Sequence, residues 1–183
     1  MKILGRCFRR CGCRQNIDCN GAGPQAYWEG KSVLYLCYNH NIAQYVQYQF
    51  EKDRVYIEAV TLHAFMMRTC GVEWSPDLSQ HFYEKELPAT FMAAEDVPAY
   101  DLVIIDEGQD LLTDTYLECV DRIVRDGLGN GTWAIYYDPN QNIFNSYAQL
   151  DAMIMKLRKE AYAMSWKYMR IAEIPSKLQM PIF

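Results

Sequence analysis

The chain contains no apolar run long enough to cross a bilayer, so no membrane-spanning helix is expected. It shows no hydrophobic leader either: Met1 to Leu4 is followed by arginines rather than by the apolar core of a secretory signal. A reducing cytoplasm is therefore the expected setting, and structural disulfides are not expected there. Internal repeats and low-complexity linkers are also lacking, which argues against solenoid or tethered-module architectures. Surplus positive charge is missing as well, since 18 Lys and Arg face 23 Asp and Glu for a net charge of -5. Residues 1–30 hold five of those basic and two of the acidic residues, so the remainder carries -8. Neutralised phosphates supply most nucleic-acid affinity. Any such contact must then be local, through backbone amides, hydroxyls and stacking aromatics, or shared with a further domain. What is present is 183 residues, 50% of them hydrophobic, enough to bury one sizeable core.

Cysteines crowd the amino terminus, with Cys7, Cys11, Cys13 and Cys19 in one short span. Zinc knuckles present cysteines in pairs two to four residues apart on tight turns. Cys11-x-Cys13 is too tight for that, and Cys7 and Cys19 are poorly spaced partners, so zinc is the rival reading rather than the favoured one. The 14 tyrosines, with Met66, Met67, Met153 and Met155, could form a partner surface, but such residues at helical spacing more often fill a core.

Alternating strand and helix patterns predict an α/β fold, a mostly parallel sheet with helices on both faces. Strands are expected at about 33–38, 55–61, 101–106 and 132–138, and helices at about 42–51, 62–70, 114–125 and 147–162. The stretch from Trp74 to Pro98 contains Pro76, Pro88 and Pro98 and cannot be one regular helix. It reads as an insertion near 74–98. Gly127-Leu128-Gly129-Asn130-Gly131 is a turn cluster before the last of these strands.

The chemistry concentrates in Tyr100-Asp101-Leu102-Val103-Ile104-Ile105-Asp106-Glu107-Gly108-Gln109-Asp110, an apolar run ending in two adjacent carboxylates. A buried strand that delivers such a pair to the open end of a sheet can hold a magnesium ion and a water beside a terminal phosphate. In that arrangement the first carboxylate sits near the metal and the second orients and deprotonates the water. The bland counterpart is an acidic turn after a core strand. The tail Gly108-Gln109-Asp110 moves the balance, because Asp-Glu-small-Gln-Asp after an aliphatic strand resembles motif II of superfamily 1 helicases of the UvrD/Rep type.

Three further segments follow the order of that family. Val33-Leu34-Tyr35-Leu36-Cys37-Tyr38-Asn39-His40-Asn41, leading into a helix from Ile42 to Phe50, resembles motif Ia. Val60-Thr61-Leu62-His63-Ala64-Phe65 resembles the next motif, and Thr132 to Phe144, containing Asp138-Pro139-Asn140-Gln141, resembles motif III. The resemblance covers most of residues 31–144 and implies a partial RecA-like domain, of P-loop NTPase type, over residues 31–183. It implies ATP and Mg2+ as cofactors and single-stranded DNA as partner. Asp106 would help hold the metal, Glu107 would act as general base, and Gln141 would sense the γ-phosphate. Asn39, Thr61 and His63 would line the strand track. Each of these three also has a plain structural use: Asn39 as a helix cap, Thr61 as a residue suited to a strand end, His63 as a satisfied core histidine.

A motor of this type needs a glycine-rich loop ending in Gly-Lys-Thr or Gly-Lys-Ser, whose amides and lysine cradle the phosphates. The chain has none. Where it should stand, Arg9 to Ala26 shows no period of two or of 3.6. Reverse-translating these residues and reading one base later permits GGAGVGKTLIAMEQARRL. Gln15 before Asn16 can give only Lys or Arg in that frame, and Asn16 before Ile17 only Thr or Ile. Residues 1–30 are therefore read as an aberrant segment, out of frame up to about Tyr27, with the frame restored by Trp28 to Lys31. The encoding nucleotides test this directly.

Near the other end, Ala163 to Ala172 lies where the family carries an arginine that reaches the γ-phosphate. Lys167 stands in its place, supplying charge but no planar fork; an ordinary surface helix is the alternative. The second RecA-like domain, which completes the ATP cleft in the family, would follow Phe183. The expectation is a fragment of an ATP-dependent DNA helicase that by itself neither unwinds DNA nor hydrolyses ATP at a useful rate. A non-catalytic module binding single-stranded nucleic acid or a protein partner is the alternative.

Overall fold

The computed structural model describes residues 22–111, 113–137 and 169–173. Five strands, β1 (Val33–Cys37), β2 (Glu58–Thr61), β3 (Leu102–Ile105), β4 (Trp133–Tyr137) and β5 (Met169–Glu173), form one sheet in the order β2-β1-β3-β4-β5. Every neighbouring pair is parallel. The four strands expected from the apolar runs are all present, adjacent and parallel, each within a few residues of its expected bounds. β5 is a difference: Met169–Glu173 lies in the segment for which the sequence suggested a phosphate-sensing motif or a surface helix, and it pairs with β4 from Trp133↔Met169 to Tyr137↔Glu173. Met169-Arg170-Ile171 alternates over only three residues before Ala172 and Glu173 break the pattern, so the sequence carries little strand signal here.

Because the strands are parallel, each return to the sheet needs a crossover, and between β1 and β4 the described helices supply it. They are α1 (Ala22–Trp28), α2 (His40–Lys52), α3 (Leu62–Thr69), α4 (Leu87–Ala93), α5 (Gly108–Leu111), α6 (Asp114–Ile123) and α7 (Gly127–Asn130). Strand side chains alternate between two cores. Leu34, Leu36, Val103, Ile105, Trp133 and Ile135 face α3, α4 and α6. Val33, Tyr35, Cys37, Leu102 and Ile104 face α1 and α2. The sheet is thus covered on both sides, as a parallel sheet must be. Each fully buried aliphatic side chain, such as Leu34 or Ile105, contributes about 1.5–3 kcal/mol.

Local chemistry sets where the helices start. Asn39 caps α2 by accepting from the Asn41 N–H at 2.8 Å, and Ala43, Val46 and Phe50 form its buried stripe. Thr61 caps α3 through the Ala64 N–H at 3.2 Å, and Thr113 caps α6 through the Tyr116 N–H at 3.2 Å. α1 begins inside the stretch that showed no period and runs past its end to Trp28. Its contact with the sheet is made by small residues: a Cβ on Gly23 would stand 3.0 Å from Ile104 Cδ1, so glycine lets the helix sit close. Across the proline-rich stretch, a π-helical turn (Phe82–Glu86) leads into α4 with Pro88 in its first turn, where proline is tolerated. Leu87 and Phe91 are fully buried, so this part of the presumed insertion is a wall of the core. Gly131 closes the turn after α7, where a Cβ would meet the Arg125 carbonyl oxygen at 2.3 Å. Among the described residues no helix is long and apolar enough to cross a membrane.

Candidate functional site at the carboxyl edge of the sheet

The strand order reverses between β1 and β3: from β1 the chain moves outward to β2, then crosses back to β3 and onward to β4. In doubly wound sheets ligands bind outside the carboxyl ends of the strands at such a reversal. The residues that emerge there are Tyr38, Asn39 and His40 after β1, and Asp106 and Glu107 after β3. The register, Leu36↔Ile105, with the Asp106 N–H donating to the Leu36 carbonyl at 2.8 Å, sets Asp106 directly beside β1.

Asp106 is half-buried and held from two sides. The Tyr35 hydroxyl donates to its Oδ2, and the Glu107 N–H donates to its Oδ1 at 3.0 Å. Burial, together with the Asp106 charge, pushes the Tyr35 hydroxyl far above its ordinary value, so it stays protonated and acts as donor. The same two causes push the Cys37 thiol up to about 12. That thiol donates to the Asn39 carbonyl at 3.3 Å and is not a poised nucleophile. Glu107 has a left-handed backbone, φ 54, a conformation rare for a non-glycine residue and often kept at functional turns.

Asn39, Thr61 and His63 come to the same edge but are committed differently. The Asn39 and Thr61 side chains accept from backbone N–H groups as helix caps. Half-buried His63 stands 2.8 Å from the Tyr116 hydroxyl and lies edge-on to the Tyr38, Tyr83 and Tyr116 rings at 6.0, 5.3 and 5.3 Å. The Tyr116 hydroxyl also lies within donating distance of the Tyr83 carbonyl, at 3.2 Å. Burial lowers the His63 value from its ordinary one. Gln141, Lys167 and the cysteines Cys7, Cys11, Cys13 and Cys19 lie outside the described residues. Tyr35 was missed by the sequence reading; its one signal is a polar tip inside the otherwise aliphatic and thiol strand Val33–Cys37.

Among the described residues no group of three or more His, Cys, Asp or Glu could hold a metal ion. The donor set at Asp106 is hard carboxylate oxygen. It suits Mg2+, which is usually held by one or two carboxylates, waters and a substrate phosphate rather than by an all-protein cage. A groove of about 320 Å³ runs along the edge strand β2, lined by Gln47, Tyr48, Ala59 and Ala64 and reaching His40 and Thr61 at the carboxyl edge. Gln47 Oε1 accepts the Ala59 N–H at 2.9 Å there and satisfies the edge of the sheet. Comparison with protein-family models, with curated proteins and with solved structures finds no match to the chain.

Proposed function

We propose that the chain is part of the motor lobe of a superfamily 1, UvrD/Rep-type, ATP-dependent DNA helicase, with a RecA-like sheet. The observation that carries this reading is the Asp106-Glu107 pair at the carboxyl end of β3, next to β1 where the strand order reverses. Asp106 would hold Mg2+, and the bound ion would neutralise charge on the β- and γ-phosphates of ATP. Glu107 is the group suited to orient and deprotonate the attacking water, since it follows the metal-holding carboxylate on a fixed turn. Asn39, Thr61 and His63 share that edge and belong to the strand-binding side, while Gln141 and Lys167 would couple to the γ-phosphate. The partners in this reading are single-stranded DNA and a second RecA-like domain or partner chain, in a cytoplasmic setting.

The alternative, a non-catalytic module for single-stranded nucleic acid, is favoured by one feature: Tyr38 follows β1 on the same edge and is 50% exposed, offering a ring on which a base could stack. Two assays separate the readings. ATP turnover that disappears in Glu107→Gln supports the motor, whereas binding of a fluorescent oligonucleotide that weakens steeply with salt, without turnover in either protein, supports the binding module. Because the lone lobe is not expected to turn over ATP at a useful rate, absent turnover alone leaves the motor reading standing; encoding nucleotides that do not spell Gly-Lys-Thr upstream of Trp28, together with no oligonucleotide binding, would sink both.

A further inference from the structure

Both oxygens of the Asp106 carboxylate already accept a hydrogen bond, and the two donors come from separate elements: the Tyr35 hydroxyl from β1 at Oδ2 and the Glu107 N–H from the turn after β3 at Oδ1. Tyr35 is itself immobilised. It is 5% exposed, and its ring meets Phe50 of α2 edge-on at 6.1 Å. A carboxylate held by two such donors cannot turn freely, and its donors differ: Oδ2 is engaged by a buried side chain, Oδ1 by the backbone of a half-buried turn. A cation arriving at the sheet edge then meets a single oxygen rather than an open two-oxygen claw.

We propose that Tyr35 is a positioning residue that makes Asp106 a one-oxygen ligand and thereby favours Mg2+ over Ca2+. Mg2+ takes single carboxylate oxygens in near-octahedral geometry, whereas Ca2+ accepts both oxygens of one carboxylate and a looser shell. The proposal rests on the reading of Asp106 as the metal-holding carboxylate.

The test uses the full chain with Mn2+ alone as a paramagnetic probe. Bound at Asp106, Mn2+ broadens the backbone amide signals of Cys37, Ile105 and Glu107, and Asp106→Asn abolishes that broadening. Mg2+ restores the signals at lower concentration than Ca2+ does. In Tyr35→Phe, which fills the same space without the hydroxyl, the Mg2+ over Ca2+ preference falls by about fivefold, the equivalent of one hydrogen bond. A merely structural tyrosine would leave that ratio unchanged. An unchanged ratio with broadening intact overturns the positioning role and spares the metal reading; no broadening in the wild-type chain overturns both. Should Tyr35→Phe fail to fold, the wild-type competition still decides, because displacement by Ca2+ at equal or lower concentration than by Mg2+ overturns the proposal.

Discussion

Ser32 and Asp101, 69 residues apart in the chain, exchange three hydrogen bonds: the Ser32 N–H and hydroxyl both donate to Asp101 Oδ2 at 2.8 Å, and the Asp101 N–H donates to Ser32 Oγ at 3.0 Å. They stand immediately before β1 and β3, so this exchange pins the register of the two strands whose far ends carry the candidate site.

The Asp101 carboxyl is held below its usual range by the Ser32 N–H first and the Ser32 hydroxyl next, with Arg125 adding charge from 3.0 Å. The ion pair is partly exposed and is worth little alone. Asp101→Asn is expected to lower the unfolding free energy by about 1–2 kcal/mol near neutral pH, the scale of hydrogen bonds to a charged group. A depressed folded value means that this advantage is complete above the unfolded value of about 4 and is lost as pH falls through the folded one. Urea midpoints of both proteins, measured from pH 7 down to pH 3, check it; a constant difference would contradict the assignment.

Glu107 holds φ 54, where a Cβ is crowded. Glu107→Gly is expected to be more stable than Glu107→Ala by about 1 kcal/mol, because only the glycine relieves the backbone. Equal urea midpoints would show that the turn is unstrained. Both substitutions remove the carboxylate, and both are expected to abolish any ATP turnover.

His63 is held as a neutral ring among Tyr38, Tyr83 and Tyr116, with its proton affinity lowered by burial. As pH falls below about 6.5, the unfolded chain takes up a proton there before the folded one does, so stability declines until the lower folded value is passed. Replacing His63 with Phe is expected to remove that part of the decline between pH 7 and pH 5 while weakening the fold through the lost Tyr116 partner. Thermal midpoints across this range decide the matter, and an unaltered slope would place His63 in solvent.

Much of the scaffold could be read from residue order because apolar strands such as Leu102–Ile105 stop abruptly at polar turns, and because α2 and α6 carry apolar stripes at helical spacing. α1 escaped since its contact with the sheet uses Gly23 and Ala26, which give no periodic signal. β5 escaped because Met169–Glu173 is short and breaks its alternation at Ala172, leaving no clear period of two. At the site, the paired carboxylates were legible from their place after an aliphatic run. Tyr35 was not, since its partner lies 71 residues away and only the β1–β3 register brings the two together.

Direct pairing of β1 with β3 leaves one outer loop between them, after α3, with no part in their register. From Gly71 to Gln80 no side chain is fully buried: only Val72 and Leu78 lean on the core there, and full burial returns at Leu87. Extra sequence grafted into this outer excursion would leave the spacing of Tyr35 and Asp106 untouched, so this stretch is the natural port for a guest domain or a reporter tag.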